Sequence, residues 1–424
     1  MSVTAFEGPA GTGKTHSLME ELGARLRNRA LASHERVIAL TFMHGARRRL
    51  DSRLREIEVL DGRFQAVTVD SFAWHLVQRW RRLASTLGHV IPTEEQYDET
   101  CAVAAALISR PIVRSWVAMS YPLVLVDEAQ DLSSARSAIV AEAASSCHVL
   151  LAFDEFQCLN PALRPMAIQS WLPKICTPTR LTACRRTNDA ELLEAARAVR
   201  DGRAVKRDGT RFKVIPTPGK PNFAATCLAN AIAWRDGGTL AVLTPSRSGG
   251  FADQVVELVC SQPLGKQKNG PFPIQWESSD EAEQRYLWQR LRIPDDCSVA
   301  DALVTLEAHI SVPALKSTKE WVLRQRRVLG LQKITSDEVR RHLDRTLAAR
   351  RRHGVTWRGG LVAMTIQQAK NQQFDHVVVI WPYRIPNDNE QRRRLLYNAI
   401  TRAQRSCHIL VQAQKLMEMP PFVS

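Results

Sequence analysis

Residues Gly8–Thr15 read Gly-Pro-Ala-Gly-Thr-Gly-Lys-Thr and fill every fixed position of the pattern G-x-x-x-x-G-K-[ST]. Ahead of them, Ser2–Phe6 is a short apolar run of strand character. Behind them, His16-Ser17-Leu18-Met19 opens a helical pattern. Glycines let the loop fold tightly, so that several backbone N–H groups point into one cavity. The following helix adds its positive end. Gly8, Gly11, Thr12, Gly13 and His16 are therefore candidate nucleotide contacts. Lys14 supplies a full charge for the β and γ phosphates, and Thr15 offers its hydroxyl to Mg²⁺.

Outward from this loop, the chain alternates strand and helix. Val37–Phe42, Ala66–Val69, Leu123–Val126 and His148–Phe153 are continuous apolar runs, as expected for strands buried on both faces of a parallel sheet. Ser17–Arg29 and Ala46–Ile57 read as helices between them. That is α/β alternation. Residues 72–120 read as a helical insertion. A second α/β block begins near Arg180, with strands at Leu240–Thr244, Val377–Trp381 and His408–Val411. Residues 250–356 are Arg-rich, Trp-bearing and mostly helical, an insertion into that second block.

Two strand ends carry acids. Leu123–Val126 runs into Asp127-Glu128-Ala129-Gln130-Asp131, at the carboxyl edge where ligands bind in such sheets. Asp127 is placed to hold Mg²⁺, and Glu128 to orient and deprotonate an attacking water. His148–Phe153 ends in Asp154-Glu155-Phe156-Gln157, where Gln157 could report on a γ-phosphate.

Composition bounds the reading. With 424 residues the chain exceeds one ordinary core. Nine scattered cysteines form no C-x-x-C pair, which favours reduced thiols and a cytoplasmic setting. No secretory pattern opens the chain, and no apolar run approaches the roughly 20 residues of a membrane span, so no membrane partner is expected. A net charge of +15 favours a polyanion, above all nucleic acid. Arg324, Arg326 and Arg327 cluster, and seven arginines lie between Arg340 and Arg358 with only Asp344 opposing them. A solvated helix face is the other reading of these runs.

Seven elements in order resemble the UvrD/Rep-type superfamily 1 DNA helicases. After the phosphate loop come Thr41-Phe42-Met43-His44-Gly45-Ala46 and Thr68-Val69-Asp70-Ser71-Phe72. Asp127–Asp131 follows, then Phe153–Gln157. Leu181 with Arg186-Thr187 comes next, then Thr365 with Ala369-Lys370, and finally Tyr397-Asn398-Ala399-Ile400-Thr401-Arg402-Ala403. The resemblance implies an α/β fold of two RecA-like P-loop NTPase domains with parallel sheets, each carrying a mostly helical insertion. It implies a first domain over 1–71 and 121–178, interrupted by 72–120. The second domain would cover 179–249 and 357–424, interrupted by 250–356. ATP and Mg²⁺ would lie between the domains. Arg186 and Arg402 would reach the γ-phosphate as charge-stabilising fingers, and Gln373 would face the ribose. Thr41, Phe42, Ser71, Phe72 and Thr365 would line the face that grips single-stranded DNA.

The sequence also departs from that family. A glutamine-bearing segment that reads adenine has no counterpart before Gly8, so the residues do not distinguish ATP from GTP. Where the family carries a base-stacking aromatic cluster, this chain has Cys158-Leu159-Asn160-Pro161, and the family's closing glutamate is Gln373. Two readings follow. One is an ATP-dependent helicase or translocase on single-stranded or tailed duplex DNA, with 3′-to-5′ polarity carried from the family, in repair, recombination or phage defence. The other is an NTP-gated switch that regulates a nuclease or other effector partner without unwinding.

Overall fold

A computed structural model describes residues 2–42, 44–93, 96–277, 287–288, 291, 293–294, 297–308, 313–353, 361–385 and 388–423. Two compact units result: Met1–Gln275 with Gly360–Ser424, and Trp276–Gly359. The larger unit holds two six-stranded sheets, each the centre of one RecA-like lobe.

The first lobe is built on β1 (Ser2–Glu7), β2 (Val37–Thr41), β3 (Phe64–Thr68), β4 (Leu123–Val126), β5 (His148–Phe153) and β6 (Thr179–Arg180), in the order β3-β2-β4-β5-β1-β6. All its pairings are parallel. Successive side chains leave a strand on opposite faces, and both faces here are covered. Val37, Ala39, Leu125 and Leu150 pack beneath Leu18, Leu22 and Leu26 of α1 (Lys14–Asn28) and Leu50 and Leu54 of α2 (His44–Arg55). On the other face lie α3 (Val69–Arg79), α4 (Arg81–Thr86), α5 (Tyr97–Ile108), α6 (Pro111–Ser120) and α7 (Ser134–Ala143). There Leu76, Cys101, Leu107 and Ile139 share one core with Ile38, Leu40, Val124 and Val149.

Three expectations shift here. The expected strand over Ala66–Val69 is β3, ending at Thr68. The Thr68 hydroxyl accepts the Ser71 N–H at 3.1 Å, caps α3 and turns Val69 into a helix start. The 72–120 segment is helical but continuous with the sheet's core. Thr179-Arg180, assigned to the second domain by sequence, pairs with Phe6-Glu7 in the first sheet.

The second lobe starts with α8 (Ala190–Asp201) and continues through β7 (Phe212–Pro216), α9 (Pro221–Ala233), β8 (Leu240–Thr244), α10 (Phe251–Ser261) and β9 (Ile274–Trp276). In the smaller unit, β10 (Cys297–Ser298) pairs antiparallel with β11 (Lys333–Ile334). Around them pack α11 (Val299–Glu307), α12 (Pro313–Leu329) and α13 (Ser336–His353), over a core of Leu306, Leu315, Val322, Val339 and Leu343. Trp321 stacks on His342 at 4.3 Å. The chain then returns to the larger unit with β12 (Leu361–Thr365), β13 (Phe374–Trp381), α14 (Asn389–Ile400) and β14 (Ala403–Val411), giving the order β7-β14-β13-β8-β12-β9.

The insertion expected over 250–356 is thus shorter. α10 packs on α9 within the larger unit, and β9, the end strand of the second sheet, straddles the division after Gln275. Within the arginine runs, Arg324, Arg326, Arg327, Arg340 and Arg341 are exposed. The side chains of 345, 350–352 and 358 lie outside the described residues, as does the domain boundary expected at 357. No single helix among the described residues is long and apolar enough to cross a membrane.

Candidate active site

The phosphate loop spans the gap between β1 and α1. Gly11 and Gly13 have φ of +83° and +84°, the left-handed region that glycine adopts without penalty. Space makes the same demand. A Cβ on Gly11 would lie 2.9 Å from the Arg186 Cβ, and one on Gly13 would lie 2.9 Å from the Arg185 Cδ. The Arg185 N–H donates to the Gly11 carbonyl at 2.7 Å, so the chain leading into the second lobe lies directly on the loop. The Lys14 ammonium donates to the carbonyls of Gly8 at 2.9 Å and Pro9 at 3.2 Å. Burial pushes its pKa down. Thr12 bonds the Pro9 carbonyl through its hydroxyl at 2.9 Å.

β4 delivers the acids. The Thr15 hydroxyl donates to Asp127 Oδ2 at 2.8 Å, so the two oxygens expected to hold Mg²⁺ are already neighbours. Both acids are buried. Burial and the adjacent Glu128 carboxylate push Asp127 up. Burial would push Glu128 up as well, but the nearby Lys370 and Lys14 ammoniums outweigh it and hold Glu128 at about 2. Glu128 sits at φ +59°, a strained setting for a residue other than glycine. The Gln130 side chain donates to Glu128 Oε2 and accepts the Asp154 N–H at 3.0 Å, joining the tips of β4 and β5.

The second lobe brings cations to these acids. Arg402 is 2% exposed; its Nε donates to the Asn398 carbonyl at 3.1 Å. Burial, reinforced by the Arg186 guanidinium, drops its pKa to about 9. Burial and neighbouring Arg49 also push Arg186 down. Arg186 donates to the Thr401 carbonyl, while its Nε is buried without a partner among the described residues. From α2, Arg49 reaches across to the Asn371 carbonyl at 3.0 Å and its side-chain oxygen at 3.2 Å. Lys370 pairs with Asp131, both buried. Packed like charges and an orphaned guanidinium nitrogen describe a hole shaped for an anion.

Asp154 locks the lobes together. Its carboxylate accepts Arg200 Nη1 at 2.9 Å, Gln157 Nε2 at 2.9 Å and the Tyr397 hydroxyl at 3.3 Å. That same hydroxyl accepts the Ala10 N–H of the phosphate loop at 2.7 Å. Phe156 meets Tyr397 edge-on at 5.1 Å, and the guanidiniums of Arg200, Arg393 and Arg394 lie 4.9–5.6 Å from its ring centre.

The other expected residues are placed as follows. Gln157 is buried against Asp154. Gln373 is exposed and accepts from Gln404 at 3.0 Å. His16 is exposed, its Nδ1 2.9 Å from Glu20 and 3.1 Å from Arg185. Phe72 is corrected from a DNA contact to a core residue. It is 5% exposed and packs edge-on to Tyr121 at 6.1 Å, because the α3 cap turns its ring under the helix. Thr41 is also buried, and its hydroxyl has no partner among the described residues. The Ser71 and Thr365 hydroxyls bond locally, to Thr68 at 2.8 Å and Gln368 at 2.9 Å. Phe42 is 38% exposed beneath the Arg136 guanidinium, 5.3 Å from its ring centre.

Sequence reasoning assigned no role to Arg49, Gln130, Asp154, Arg200, Lys370 or Tyr397. Gln130, Asp154, Lys370 and Tyr397 lie inside the ordered motifs, so their position was the available signal. Arg49 and Arg200 sit on amphipathic helices, where an arginine carries no signal of its own.

Two family descriptions match the chain. An AAA domain covers residues 1–211, and a UvrD-like helicase C-terminal domain covers residues 360–410. No curated protein matches it. Among solved structures, the chain is similar to arterivirus nonstructural protein 10, a helicase. Identity is 12%, with 99% of this chain and 62% of that one covered, at a TM-score of 0.41. A complex of the same arterivirus protein with DNA aligns at 13% identity, covering 98% and 62%, at 0.40. The PRRSV helicase aligns at 13% identity, covering 98% and 54%, at 0.39. The chain spans less than two thirds of the length of these structures.

Proposed function

We propose, from the match of residues 1–211 to an AAA domain and of residues 360–410 to a UvrD-like helicase C-terminal domain, that this chain hydrolyses ATP in the cleft between its lobes and uses the cycle to move on single-stranded DNA. One observation carries the reading. Lys14, Arg49, Arg186, Lys370 and Arg402 converge from both lobes around Asp127 and Glu128. A surplus of buried cations is costly without an anion to neutralise it, and a triphosphate supplies one.

The roles follow from the chemistry of each group. Loop N–H groups and Lys14 bind the β and γ phosphates. Thr15 and Asp127 would hold Mg²⁺, which supplies charge neutralisation to the phosphates. Glu128, ionised across the working pH range, accepts a proton from the water that attacks the γ-phosphorus, and the bond to the β-phosphate oxygen breaks. Arg186 and Arg402 stabilise charge on the transferring group. Tyr397 and Asp154 position the phosphate loop against the second lobe, so closure and hydrolysis are mechanically linked.

The nucleic-acid side rests on fewer groups, with Phe42 as the exposed aromatic. Cys158 and Leu159, at the position of the family's stacking cluster, are both buried. That favours a second reading, in which the cycle switches a partner such as a nuclease and opens little duplex unaided. Hydrolysis with and without single-stranded DNA, followed by strand displacement on a 3′-tailed duplex, separates the two. DNA-stimulated hydrolysis with displacement supports the motor. Hydrolysis indifferent to DNA even at low salt rejects it.

A further inference from the structure

A second cleft lies on the face of the second sheet turned toward α9. Register sets its floor. Lys213 pairs with His408, and His408 with Val378. Ser406 pairs with His376, and His376 with Leu240. Strands buried on both faces of a parallel sheet normally carry apolar side chains at such positions. Here His408, Ser406 and His376 stand there instead, with Lys213 exposed beside them on the edge strand β7. Beneath Cys227, Asn230 and Trp234 of the α9 segment they leave a cleft of about 380 Å³, in the range of small-molecule sites.

The charges in this cleft do not cancel. Arg211, Lys213 and Arg235 line it, against one acid, Asp236. Asp236 is already shared among Arg211 at 3.8 Å, Arg405 at 3.8 Å and the His376 Nε2 at 2.9 Å. Among the described residues Lys213 and His408 have no ion pair; the Arg235 Nη1 donates to the Ile232 carbonyl, and its Nε is buried without a partner there. Burial and the Lys213 ammonium push His408 below its usual value. A polar floor with three cationic side chains against one shared acid disfavours a metal cation. It suits an anion. The exposed ring of Trp234 at the mouth offers a flat face for a base.

We propose that this cleft binds a phosphate-bearing ligand of mononucleotide size, with Lys213, His408 and Arg235 holding the phosphate. It is separate from the phosphate loop and shares no residue with it. The phosphate could belong to a free nucleotide or to the end of a nucleic-acid strand, and the test distinguishes them.

The test follows the His408 ring by NMR in the intact protein, at constant ionic strength. AMP and a 5′-phosphorylated dinucleotide are the probes, with an unphosphorylated dinucleotide as control. The expected result is a saturable His408 shift with at least one phosphorylated probe and none with the control. A neighbouring phosphate stabilises the imidazolium, so the His408 pKa should rise. A response to AMP identifies a free-nucleotide site; a response to the dinucleotide alone identifies a strand end. Lys213→Glu, an exposed position, should weaken binding at least tenfold, as should His408→Val, which restores the apolar pattern. Lys14→Ala should leave the response unchanged. No His408 shift at 10 mM of either phosphorylated probe overturns the proposal. So does binding indifferent to both Lys213→Glu and His408→Val.

Discussion

The nucleotide cleft and the expected DNA-gripping face are constructed to different standards. In the cleft, the side chains are fixed by partners from two lobes. Tyr397 ties Ala10 to Asp154, Arg49 ties α2 to Asn371, and Lys370 ties Asp131. On the other face, Phe72 belongs to the core, Thr41 is buried, and the Ser71 and Thr365 hydroxyls cap local turns. Phosphoryl transfer needs charges preorganised before the substrate arrives. Sequence-tolerant strand binding can rest on a few stacked rings and diffuse charge. The contrast therefore predicts that substitutions in the cleft act on turnover, and that few single substitutions abolish DNA binding.

The largest effect should come from Arg402→Met. Loss of a γ-phosphate arginine lowers kcat by roughly 10³-fold or more. Stability should move the other way. The charged guanidinium is buried beside Arg186 and held at about 9, so removing it relieves repulsion in the nucleotide-free protein. Thermal melting should show a Tm unchanged or a few degrees higher. A large drop in Tm would mean that Arg402 is structural and that the contrast fails at its strongest point.

Lys370→Met comes next. It leaves Asp131 buried without its partner, a loss of about 3–5 kcal/mol in stability for such pairs. It also removes the leading cation that holds Glu128 at about 2. The Glu128 pKa must then rise, because burial is less opposed. The acid limb of the kcat–pH profile, absent near neutrality in the native protein, should move upward in pH. An unchanged profile would detach Lys370 from the catalytic base.

Phe72 and Phe42 sharpen the comparison directly. Phe72→Ala removes a buried ring and should cost about 3–5 kcal/mol of stability, with DNA affinity changing only as folding does. Phe42→Ala should leave Tm nearly unchanged and weaken single-stranded DNA by about 1–3 kcal/mol. The reverse pattern in melting and DNA titrations would restore Phe72 to the binding face. The smallest effect is expected from Tyr397→Phe. It deletes one hydroxyl shared by Ala10, Arg200 and Asp154, worth about 1–3 kcal/mol for a buried group left unsatisfied. A merely structural role would lower Tm alone. A positioning role should also lower kcat with little change in KM.

Much of this architecture was legible because strands buried on both faces are unbroken apolar runs. Leu123–Val126, His148–Phe153 and Leu240–Thr244 have the bounds that their composition gives. Polar strand starts hid the rest. β13 begins at Phe374, three residues before its apolar run, through Asp375 and His376, and β7 alternates around Lys213. Two-residue β6 is too short for any pattern. In the site, fixed spacing pointed to Lys14, Thr15, Asp127 and Glu128. The cross-lobe ties of Arg49 and Arg200 depend on which helix faces meet in three dimensions, and no spacing records that.

The central claim is that the cleft hydrolyses a nucleoside triphosphate with Glu128 as the base. Its most direct test is steady-state ATP hydrolysis by the native chain and by Glu128→Gln, with nucleotide binding measured in parallel. The account predicts intact binding and turnover lowered by roughly 10²–10⁴-fold. Native turnover in Glu128→Gln, or no hydrolysis by the native chain with Mg²⁺ and DNA present, would contradict it.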